Sequence, residues 1–420
     1  MHIKNKNFSL ISSCRLCDCG SLENFVDFGD VPLGNNLQKS SKAALEADAY
    51  PLNLVRCNAC GHFQLGYSVF KELLYATNYT YLSGIGKTFV EHIHQYVQWV
   101  TSRCELKKNS VVVDIGSNDG TCLQAFKKIG FGVQGVDPAA LAAEIAIKNG
   151  IPTINSFFDS TVANLIIDKI GYVDLVTSQN VLAHVNNLQD CFENIYKILK
   201  NDGFFVFEIG YFLEVLNSGC FDTIYHEHLD YHHAEPLACY LSSLGFDVVD
   251  ISINSIQGGS LRVLSKKTGQ GQISFKAQQF LLQEKKSNLY CNTFLSNWLR
   301  NVNFSMQSLN KIVTEYYNKG FTIIGYGAPT KATLLLKLAG LTEGIISYIY
   351  EDNEHKVDRY LPKTSMIIRS SSDLDNLPPK NVIVILAWNF AEDIIKNIKS
   401  KVKKTTIVII PLPHLRVINI

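Results

Sequence analysis

The feature that most constrains the fold is an apolar run that ends in a glycine-containing turn, VVVDIGSNDG at residues 111–120. A short, continuous apolar run is typical of a strand that is buried on both faces of a parallel sheet. Parallel strands need crossover connections, usually helices, and residues 121–129 show a helical pattern directly after the turn. A second strand is predicted at residues 132–136. The sequence therefore predicts an α/β fold whose parallel sheet is built around the first strand.

The same turn predicts a cofactor site. Asp137 ends the second predicted strand about twenty residues after the first glycine, where a carboxylate can bind both hydroxyls of a ribose. S-adenosylmethionine fits better than NAD, because the glycines are spaced G-x-x-x-G, a carboxylate lies inside the strand end, and polar residues stand where an amino-acid group would lie. A Rossmann-like unit that binds no ligand is the alternative. The predicted cofactor contacts in this region are Asp114, Gly116, Asn118, Asp119, Gly120 and Asp137.

Further strands extend the same predicted sheet. A fourth strand at residues 173–178 opens into Gln179, Asn180 and, after a short interval, His184. Because ligands bind at the carboxyl ends of strands in open α/β sheets, we assign Gln179 and Asn180 to the cofactor site and regard His184 as a site candidate. The remaining strands of this sheet are predicted at residues 203–209, 246–253 and 261–265.

Two cysteine pairs near the N-terminus share one spacing, C-R-L-C at residues 14–17 and C-N-A-C-G at residues 57–61. Each pair can bring two sulfurs together across a tight turn, and two pairs complete a tetrahedral site. A redox role, as for a single C-x-x-C pair, is the alternative, and Cys19 and His62 stand close enough to substitute as ligands. Because four sulfurs leave no position for water, we predict a stabilising and not a catalytic zinc. Its predicted ligands are Cys14, Cys17, Cys57 and Cys60.

A second strand–turn–helix pattern occurs in the C-terminal third, FTIIGYGAPTK at residues 321–331. Free backbone N–H groups, a helix N-terminus, a hydroxyl and a lysine converge at such a turn, which predicts a phosphate site. A turn that only packs is the alternative, since a third glycine is missing. Residues 275–317 have a helical pattern that predicts a brace between this unit and the preceding one. Further strands are predicted at residues 345–350, 382–387 and 406–410.

The densest group of proton-transferring side chains is YHEHLDYHH at residues 225–233, which contains four of the eleven histidines of the chain. Imidazole titrates near neutral pH, and the segment adds two tyrosines and two acids. Taken alone, such a cluster would favour a polar loop with some metal affinity. Its position between a predicted cofactor pocket and a phosphate-type turn instead indicates catalysis.

Length and charge limit the class of protein. A chain of 420 residues exceeds one ordinary core, and we place its domains at residues 1–75, 76–305 and 306–420. A net charge of +1 without a long basic run argues against a nucleic-acid partner. No apolar run reaches the roughly twenty residues that span a bilayer, and residues 1–13 do not resemble a signal peptide, so we expect a cytoplasmic protein without a membrane partner. The oligomeric state is not fixed by the sequence, and a monomer is compatible with it.

The order of the motifs carries a resemblance to a known family. In chain order they are C-x-x-C…C-x-x-C-G, a tyrosine-rich segment at residues 75–84, D-x-G-S-N-D-G, Y-H-E-H-L, G-G-S-L-R and G-Y-G-A-P-T-K. Together they resemble the nucleotide-sugar C-methyltransferases over nearly the whole chain. The resemblance implies a zinc-binding N-terminal domain, a Rossmann-like methyltransferase core and a smaller Rossmann-like C-terminal domain. These would enclose S-adenosylmethionine and a TDP-type nucleoside-diphosphate 4-keto sugar. One departure is Gln257, where relatives are expected to have histidine before G-G-S.

The resemblance also implies a reaction, methylation at C-3 of a 4-keto-deoxysugar. A hydrogen next to a ketone is only weakly acidic, so a base must remove it while donors stabilise the enolate oxygen. For this sequence the resemblance implies His228 as the base and Tyr225 and His184 as the donors. Glu227 would set the histidine tautomer or position the sugar.

One further catalytic candidate follows from the resemblance. Tyr79 is similar to a tyrosine that the family contributes from the zinc-domain side, although Tyr81 stands close by.

Two rival functions stay open: transfer of the methyl group to oxygen or nitrogen of a nucleotide sugar, and a non-catalytic protein that kept the pockets. An NAD-dependent oxidoreductase fits less well, because the C-terminal fingerprint is incomplete. For the proposed sugar nucleotide, the predicted substrate contacts lie at the C-terminal phosphate-type turn and after the strand at residues 345–350. They are Gly325, Gly327, Thr330, Lys331 and Asp352.

Overall fold

The computed structural model describes residues 7–70, 73–74, 82–342 and 344–420. Tyr79 and Tyr81 lie outside these ranges, so their predicted roles stay predictions. Within the described residues, strands form sheets of four, seven and six members and one two-stranded ribbon. The predicted α/β class is confirmed. No described helix is long and apolar enough to cross a membrane.

The N-terminal region forms a small antiparallel sheet that carries both cysteine pairs. Its elements are β1 (Phe8–Leu10), β2 (Leu22–Pro32), α1 (Ser41–Glu46), β3 (Ala49–Cys57), β4 (Phe63–Leu65) and β5 (Tyr67–Val69). β3 pairs with β2 on one side and with β4 on the other, while β1 and β5 form the ribbon. Leu54 and Phe63 are fully buried beneath this sheet. Cys57 ends β3 and Cys60 precedes β4, so the second pair lies at the turn between two packed strands.

The central region is a seven-stranded sheet flanked by helices. This part of the chain contains eight strands, of which all but β11 join the sheet. They are β6 (Val111–Ile115), β7 (Gly132–Val136), β8 (Thr153–Ile154), β9 (Val173–Gln179), β10 (Leu199–Gly210), β11 (Asp230–Tyr231), β12 (Phe246–Asn254) and β13 (Ser260–Lys267). Its helices are α2 (Lys87–Arg103), α3 (Thr121–Lys128), α4 (Ala140–Lys148), α5 (Ser160–Ile170), α6 (Leu188–Ile198), α7 (Phe212–Ser218) and α8 (Ala234–Ser243).

The strand order places the first predicted strand at the centre of the sheet. The order is β12–β13–β10–β9–β6–β7–β8, and β6 pairs in parallel with β7 and β9. β13 runs antiparallel to both β10 and β12, which closes the sheet with the predicted hairpin. β10 begins at Leu199, before the predicted start at residue 203. β8 was not predicted because two residues show no periodicity.

Two helices connect the central and C-terminal sheets, α9 (Phe275–Lys286) and α10 (Asn292–Asn318). The single helical pattern predicted over residues 275–317 is broken at Asn288, which has a left-handed backbone (φ 61°). The apolar face of α10 is buried as predicted, with Trp298 and Val302 almost fully covered. The predicted domain boundary after residue 305 falls inside α10, and the domain limits remain predictions.

The C-terminal region is a second parallel sheet. Its elements are β14 (Thr322–Tyr326), α11 (Ala332–Leu338), β15 (Ile346–Glu351), β16 (Ile367–Ser370), β17 (Asn381–Ile385), α12 (Ala391–Lys401), β18 (Ile407–Ile410) and β19 (Arg416–Asn419). The order is β16–β15–β14–β17–β18–β19, and only β19 is antiparallel to its neighbour. The sequence did not predict β16 and β19, which are short strands at the two sheet edges.

The three regions meet around the histidine-rich segment. β11, which lies inside that segment, pairs with β4 and so belongs to the zinc-binding sheet. A loop of the N-terminal region reaches the C-terminal glycine turn, where a Cβ on Gly34 would lie 2.0 Å from the carbonyl oxygen of Thr330. Only glycine allows so close an approach. One cluster of buried apolar side chains includes members of all three sheets. The residues of the predicted site are therefore assembled from three separate parts of the chain.

Candidate active site

The four predicted zinc ligands converge. The sulfurs of Cys14, Cys17, Cys57 and Cys60 lie within 4.8 Å of one another. The Cys14 and Cys60 sulfurs are 3.6 Å apart, as are those of Cys17 and Cys57. Four thiolates at this spacing fit a tetrahedral zinc ion and leave no position for water. His62 is not a member of this cluster, and its Nε2 lies 2.9 Å from a carboxylate oxygen of Asp230.

Two buried oxygens mark the predicted cofactor pocket. Asp114 is the next-to-last residue of β6 and Gln179 the last residue of β9, and these strands are direct neighbours. Among the described residues, neither Asp114 Oδ1 nor Gln179 Oε1 has a hydrogen-bond partner. Burial raises the pKa of Asp114 well above its usual range, and the nearby charge of Asp137 adds to this. A buried acceptor without a partner is costly, and a cationic ligand relieves that cost. S-adenosylmethionine, with its sulfonium and ammonium charges, fits these residues.

The glycines of the turn are required by close packing. Gly116 has a left-handed backbone (φ 72°), and a Cβ there would lie 2.2 Å from a methyl group of Val181. Gly120 also has a left-handed backbone (φ 81°) and precedes α3. Two non-glycine residues beside the pocket, Asn118 and Asn180, adopt the same conformation (φ 50° and 56°). Such strained backbone is concentrated at ligand sites, and both asparagines were predicted cofactor contacts.

The side chains of Asn118 and Asp119 have a role that the sequence did not predict. Asn118 Oδ1 accepts the backbone N–H of Ser83 at 2.9 Å, and Asp119 Oδ2 accepts that of Gly84 at 2.7 Å. Residues 83–84 end the tyrosine-rich segment. These two side chains therefore fix the end of that segment over the cofactor turn.

Asp137 lies at the end of β7 as predicted. Its two carboxylate oxygens accept the backbone N–H groups of Asn118 and Ala139, both at 2.8 Å. Burial raises the pKa of Asp137, while these two hydrogen bonds oppose the shift. Each carboxylate oxygen keeps a second lone pair, so the residue can still accept from a ribose hydroxyl.

His228 is a neutral base with a defined tautomer. Its Nδ1 donates to the backbone carbonyl of Thr223 at 3.1 Å, because a carbonyl can only accept. Nε2 therefore carries the lone pair, and the Tyr225 hydroxyl donates to it at 2.8 Å. Burial holds the pKa of His228 well below its usual range, and His184 and Lys331 add to this. Thr223, and not Glu227, sets the tautomer, which corrects one of the two roles expected for Glu227.

His184 packs against His228 but does not fit its expected role as a donor. The two ring centroids are 4.7 Å apart in an edge-to-face arrangement. His184 Nδ1 donates to the backbone carbonyl of Glu227 at 2.8 Å. Burial lowers the pKa of His184 to about 4, so the ring is neutral and its one N–H is already used. Tyr225 is left as the predicted donor to an enolate oxygen.

Glu227 is buried and is reached from the N-terminal region. Asn35 Nδ2 donates to its Oε1 at 2.7 Å. Burial raises the pKa of Glu227 to about 7, while this hydrogen bond and the charge of Lys356 oppose the increase. The carboxyl group therefore changes its charge near neutral pH. Its carboxylate form can accept a hydrogen bond from a sugar hydroxyl or amine.

Two N–H groups of the C-terminal glycine turn, which the sequence predicted to be free, already have partners. The Gly327 N–H donates to the Tyr350 carbonyl at 2.7 Å, and the Ala328 N–H donates to Glu351 Oε2 at 2.8 Å. The glycines are needed for packing instead. A Cβ on Gly327 would lie 2.4 Å from the Cβ of Ala387, and one on Gly325 would lie 3.0 Å from Ile349.

Lys331 faces the central region from this turn. Its Nζ lies 3.8 Å from Asp222 Oδ2 and 3.8 Å from the ring centroid of Trp388. The Trp388 indole N–H donates to the same Asp222 oxygen at 2.5 Å. Asp222 is the residue before Thr223, whose carbonyl fixes His228. Lys331 therefore approaches the segment that carries the catalytic candidates from the C-terminal region. Asp352 accepts hydrogen bonds from the Tyr326 hydroxyl at 3.0 Å and from the Ser371 hydroxyl.

The other histidines of the segment are buried. His226 Nε2 donates to the Tyr50 carbonyl at 3.1 Å, and burial lowers its pKa to about 4. His233 Nε2 lies 2.8 Å from the Tyr290 hydroxyl. Burial lowers the pKa of His232 to about 3. These contacts are those of packed core residues.

Comparison with known proteins identifies the family. A zinc binding domain family matches residues 14–75, a methyltransferase domain family matches residues 89–251, and the C-methyltransferase C-terminal domain family matches residues 255–413. C-methyltransferase NovU from Streptomyces niveus is 28% identical over 410 residues, which cover 97% of each chain. The chain belongs to the S-adenosylmethionine-dependent C-methyltransferases.

Solved structures similar to this C-methyltransferase cover less of it. A SAM-dependent methyltransferase from Archaeoglobus fulgidus is 18% identical, covers 42% of this chain and 94% of its own, and has a TM-score of 0.34. Magnesium protoporphyrin IX methyltransferase from Synechocystis PCC 6803 is 14% identical, covers 42% of this chain and 82% of its own, and has a TM-score of 0.34. At TM-scores this low, neither structure contributes to the assignment.

Several site residues of the C-methyltransferase were missed from the sequence. Asn35 bonds Glu227, Thr223 bonds His228, and the Trp388 ring packs against Lys331, yet none of the three belongs to a motif with a recognisable spacing. Asn35 lies 192 positions from Glu227, so no local pattern could connect them. Arg262 of the G-G-S-L-R motif is held by the buried carboxylate of Glu208, which a charged residue inside the predicted strand at residues 203–209 could have indicated.

The cofactor assignment predicts a loss of affinity when Asp137 is replaced by alanine. The change removes the predicted ribose acceptor and releases the backbone N–H of Asn118, which shapes the turn. We expect the Kd for S-adenosylhomocysteine, measured by titration calorimetry, to rise by about ten- to a hundredfold. Asp168→Ala, at an exposed position on α5, is the matched control and should leave the Kd unchanged. An unchanged Kd for Asp137→Ala would remove this residue from the site.

Proposed function

We propose that this C-methyltransferase transfers a methyl group to C-3 of a nucleoside-diphosphate 4-keto-deoxysugar. The observation that supports this most is the pairing of a neutral base, His228, with a phenol, Tyr225, at 2.8 Å. A carbon next to a ketone needs a base and an oxygen donor at the same time. Methyl transfer to a hydroxyl or amine needs no donor to an enolate, so the pair favours carbon as the acceptor.

The site lies at the same end of the sheet as the cofactor turn. Val181 packs against Gly116, and the Val181 carbonyl accepts the backbone N–H of His184. His184 in turn packs edge-to-face against His228. This sequence of contacts links the predicted cofactor pocket to the base. When bound, S-adenosylmethionine supplies an electrophilic methyl group for the carbanion.

His228 and Tyr225 divide the proton chemistry. The C-3 hydrogen of the sugar replaces the Tyr225 O–H at Nε2 of His228, and the proton moves from carbon to Nε2. The displaced phenol keeps its proton and donates a hydrogen bond to the developing enolate oxygen. The new Nε2–H of the imidazolium can then donate to the phenol oxygen. Desolvation lowers the pKa of His228 and so keeps the base neutral beforehand.

The nucleotide is proposed to lie between the C-terminal turn and the N-terminal region. These parts are in contact at Gly34 and Thr330, beside the Asn35–Glu227 hydrogen bond. Lys331 supplies positive charge on that side. Because its present partner is the buried carboxylate of Asp222, a diphosphate would compete with this carboxylate for the lysine. The predicted substrate roles of the other turn residues and of Asp352 remain predictions.

Glu227 is proposed to position the sugar in its ionised form. Replacing Asn35 with alanine removes the hydrogen bond that favours the carboxylate, so the pKa of Glu227 should rise above about 7. The acidic limb of the kcat/KM profile should then move upward by about one pH unit. Well above that limb both enzymes carry an ionised Glu227, and their rates should converge. A pH profile of turnover measures the shift.

Asn36→Ala is the matched control for this prediction. Asn36 is the next residue in the same loop and is exposed. Its replacement should leave the acidic limb where it is. If Asn35→Ala lowered the rate equally at every pH, the contact would affect the loop and not the charge of Glu227.

Hydrogen exchange at C-3 tests the proposed function. In deuterated water without S-adenosylmethionine, the enzyme should replace C-3 hydrogen of a 4-keto-deoxysugar nucleotide by deuterium, as followed by NMR. His228→Ala should abolish this exchange. Exchange at C-3 that continued unchanged in that variant would show that His228 is not the base.

A further inference from the structure

Arg15 connects the zinc-binding turn to the strand that follows His228. It stands inside the first cysteine pair, between Cys14 and Cys17, and its side chain is only 10% exposed. Its Nε lies 3.1 Å from each carboxylate oxygen of Asp230. Asp230 is fully buried and is the second residue after His228. Neither Arg15 nor Asp230 is among the residues proposed to take part in the methylation reaction.

The same guanidinium reaches the loop that carries His184. Arg15 Nη2 donates to the backbone carbonyl of Val185, the residue after His184, at 2.5 Å. The two loops are also bonded to each other, since the Leu229 N–H donates to the Ala183 carbonyl at 2.7 Å. One side chain of the zinc-binding turn therefore contacts both the loop that carries His184 and the loop that carries His228.

Asp230 is tied to the zinc-binding sheet by more than Arg15. His62, directly after the second cysteine pair and its glycine, lies 2.9 Å from Asp230 Oδ1. Asp230 itself pairs with Gln64 in the sheet, through β11 and β4. The Gln64 side chain accepts the backbone N–H of Arg15 at 2.7 Å. The position of Arg15 is thus fixed at its backbone by the sheet and at its side chain by the loops.

A buried ion pair of this kind is a poor way to gain stability. Desolvation of two charges offsets most of their attraction, and apolar side chains of similar volume often stabilise a fold as well or better. The guanidinium differs from an apolar group in its directional donors, which fix the partners at defined angles. Its value in this position is geometric.

We propose that Arg15 is a positioning residue, through which the zinc-binding turn holds His184 and His228 in register for the methyl transfer. The inference rests on the proposed function of His228 as the base, against which His184 packs. It gives the zinc site a second task beyond stabilising the N-terminal region. Zinc fixes the turn, the turn fixes Arg15, and Arg15 fixes the His184 loop against the His228 loop.

The test compares two arginine substitutions in the full-length, zinc-loaded enzyme. Arg15→Met is the test variant. Arg56→Met is the matched control, because Arg56 precedes the zinc ligand Cys57 but pairs with Glu23 and the Tyr290 carbonyl, away from both loops. Zinc content, S-adenosylhomocysteine affinity, kcat and KM are measured for each.

We expect Arg15→Met to keep its zinc and its cofactor affinity while kcat falls on the order of a hundredfold, because a small displacement of the base is enough for such a loss. KM should change far less than kcat. Arg56→Met should keep kcat within about twofold of the wild-type value. Equal kcat values for the two variants would overturn the proposal, as would a loss of zinc that accounts for the whole effect of Arg15→Met.

Two further measurements keep the proposal testable if Arg15→Met does not fold. Arg15→Lys keeps the charge but cannot bond Asp230 and Val185 together, so it should show most of the loss in kcat. The ¹⁵N NMR signals of the His228 ring should shift in either variant and not in Arg56→Met. Unchanged signals would contradict a positioning role. If the wild-type enzyme methylated no 4-keto sugar nucleotide, the proposed function would fail, whereas these signals would still test Arg15.

Discussion

Replacement of His228 by alanine is expected to lower kcat by about two to four orders of magnitude, the range that general-base catalysis contributes. The loss of kcat follows from the tautomer of His228: Thr223 holds the Nδ1 proton, and Nε2 is the acceptor that would take the C-3 hydrogen. The affinity for S-adenosylhomocysteine should be unchanged, since the predicted cofactor residues lie outside the histidine-rich segment. Single-turnover kinetics with a 4-keto-deoxysugar nucleotide measure the loss.

His94→Ala is the matched control for that experiment. His94 lies on α2 of the same region, is exposed, and should be replaceable without effect on kcat. A folded His228→Ala enzyme that bound the cofactor and kept near wild-type turnover would contradict the mechanism. Tyr225→Phe should also lower kcat, because the phenol is the donor left for the enolate oxygen once the His184 N–H is committed to Glu227.

Replacement of Cys57 by serine is expected to release the zinc and destabilise the N-terminal region. The wild-type protein should contain about one equivalent of zinc, and the variant clearly less, by atomic emission. A structural zinc site contributes folding free energy directly, so the Tm of the first unfolding transition should fall on the order of 10 °C. Differential scanning calorimetry measures the change.

Cys19→Ser provides the comparison for the zinc prediction. Cys19 lies beside the first pair but outside the cluster of four cysteines, and its sulfur accepts the backbone N–H of Ser21 at 3.5 Å. This variant should keep both its zinc and its Tm. Full retention of zinc by Cys57→Ser would show that the four-cysteine assignment is incorrect. Because Arg15 stands inside the first pair, loss of zinc should also reduce kcat in the fraction that stays folded.

Local sequence patterns predicted much of the fold. The apolar run at residues 111–115 became the central strand, since a strand buried on both faces has no polar alternation to obscure it. The two cysteine pairs were recognisable because the spacing within each pair is a local property of its turn, and in the structure the two pairs converge. The edge strands β16 and β19 were missed, because short edge strands carry little hydrophobic pattern.

The sequence predicted the members of the site better than their roles. His228, Tyr225 and Glu227 were named because they share one segment, but their tautomers and charges depend on partners far along the chain. Thr223 and Asn35 decide these properties, and only the folded chain brings them into contact. The C-terminal turn shows the same limit, since Glu351 occupies an N–H group that the motif alone leaves open.

The position of a labelled methyl group tests the central claim most directly. The wild-type enzyme is incubated with a nucleoside-diphosphate 4-keto-deoxysugar and S-adenosylmethionine labelled with ¹³C in its methyl group, and the product is examined by NMR. The account predicts that the labelled methyl carbon is bonded to C-3, next to the ketone. A label bonded to oxygen or nitrogen of the sugar would contradict it.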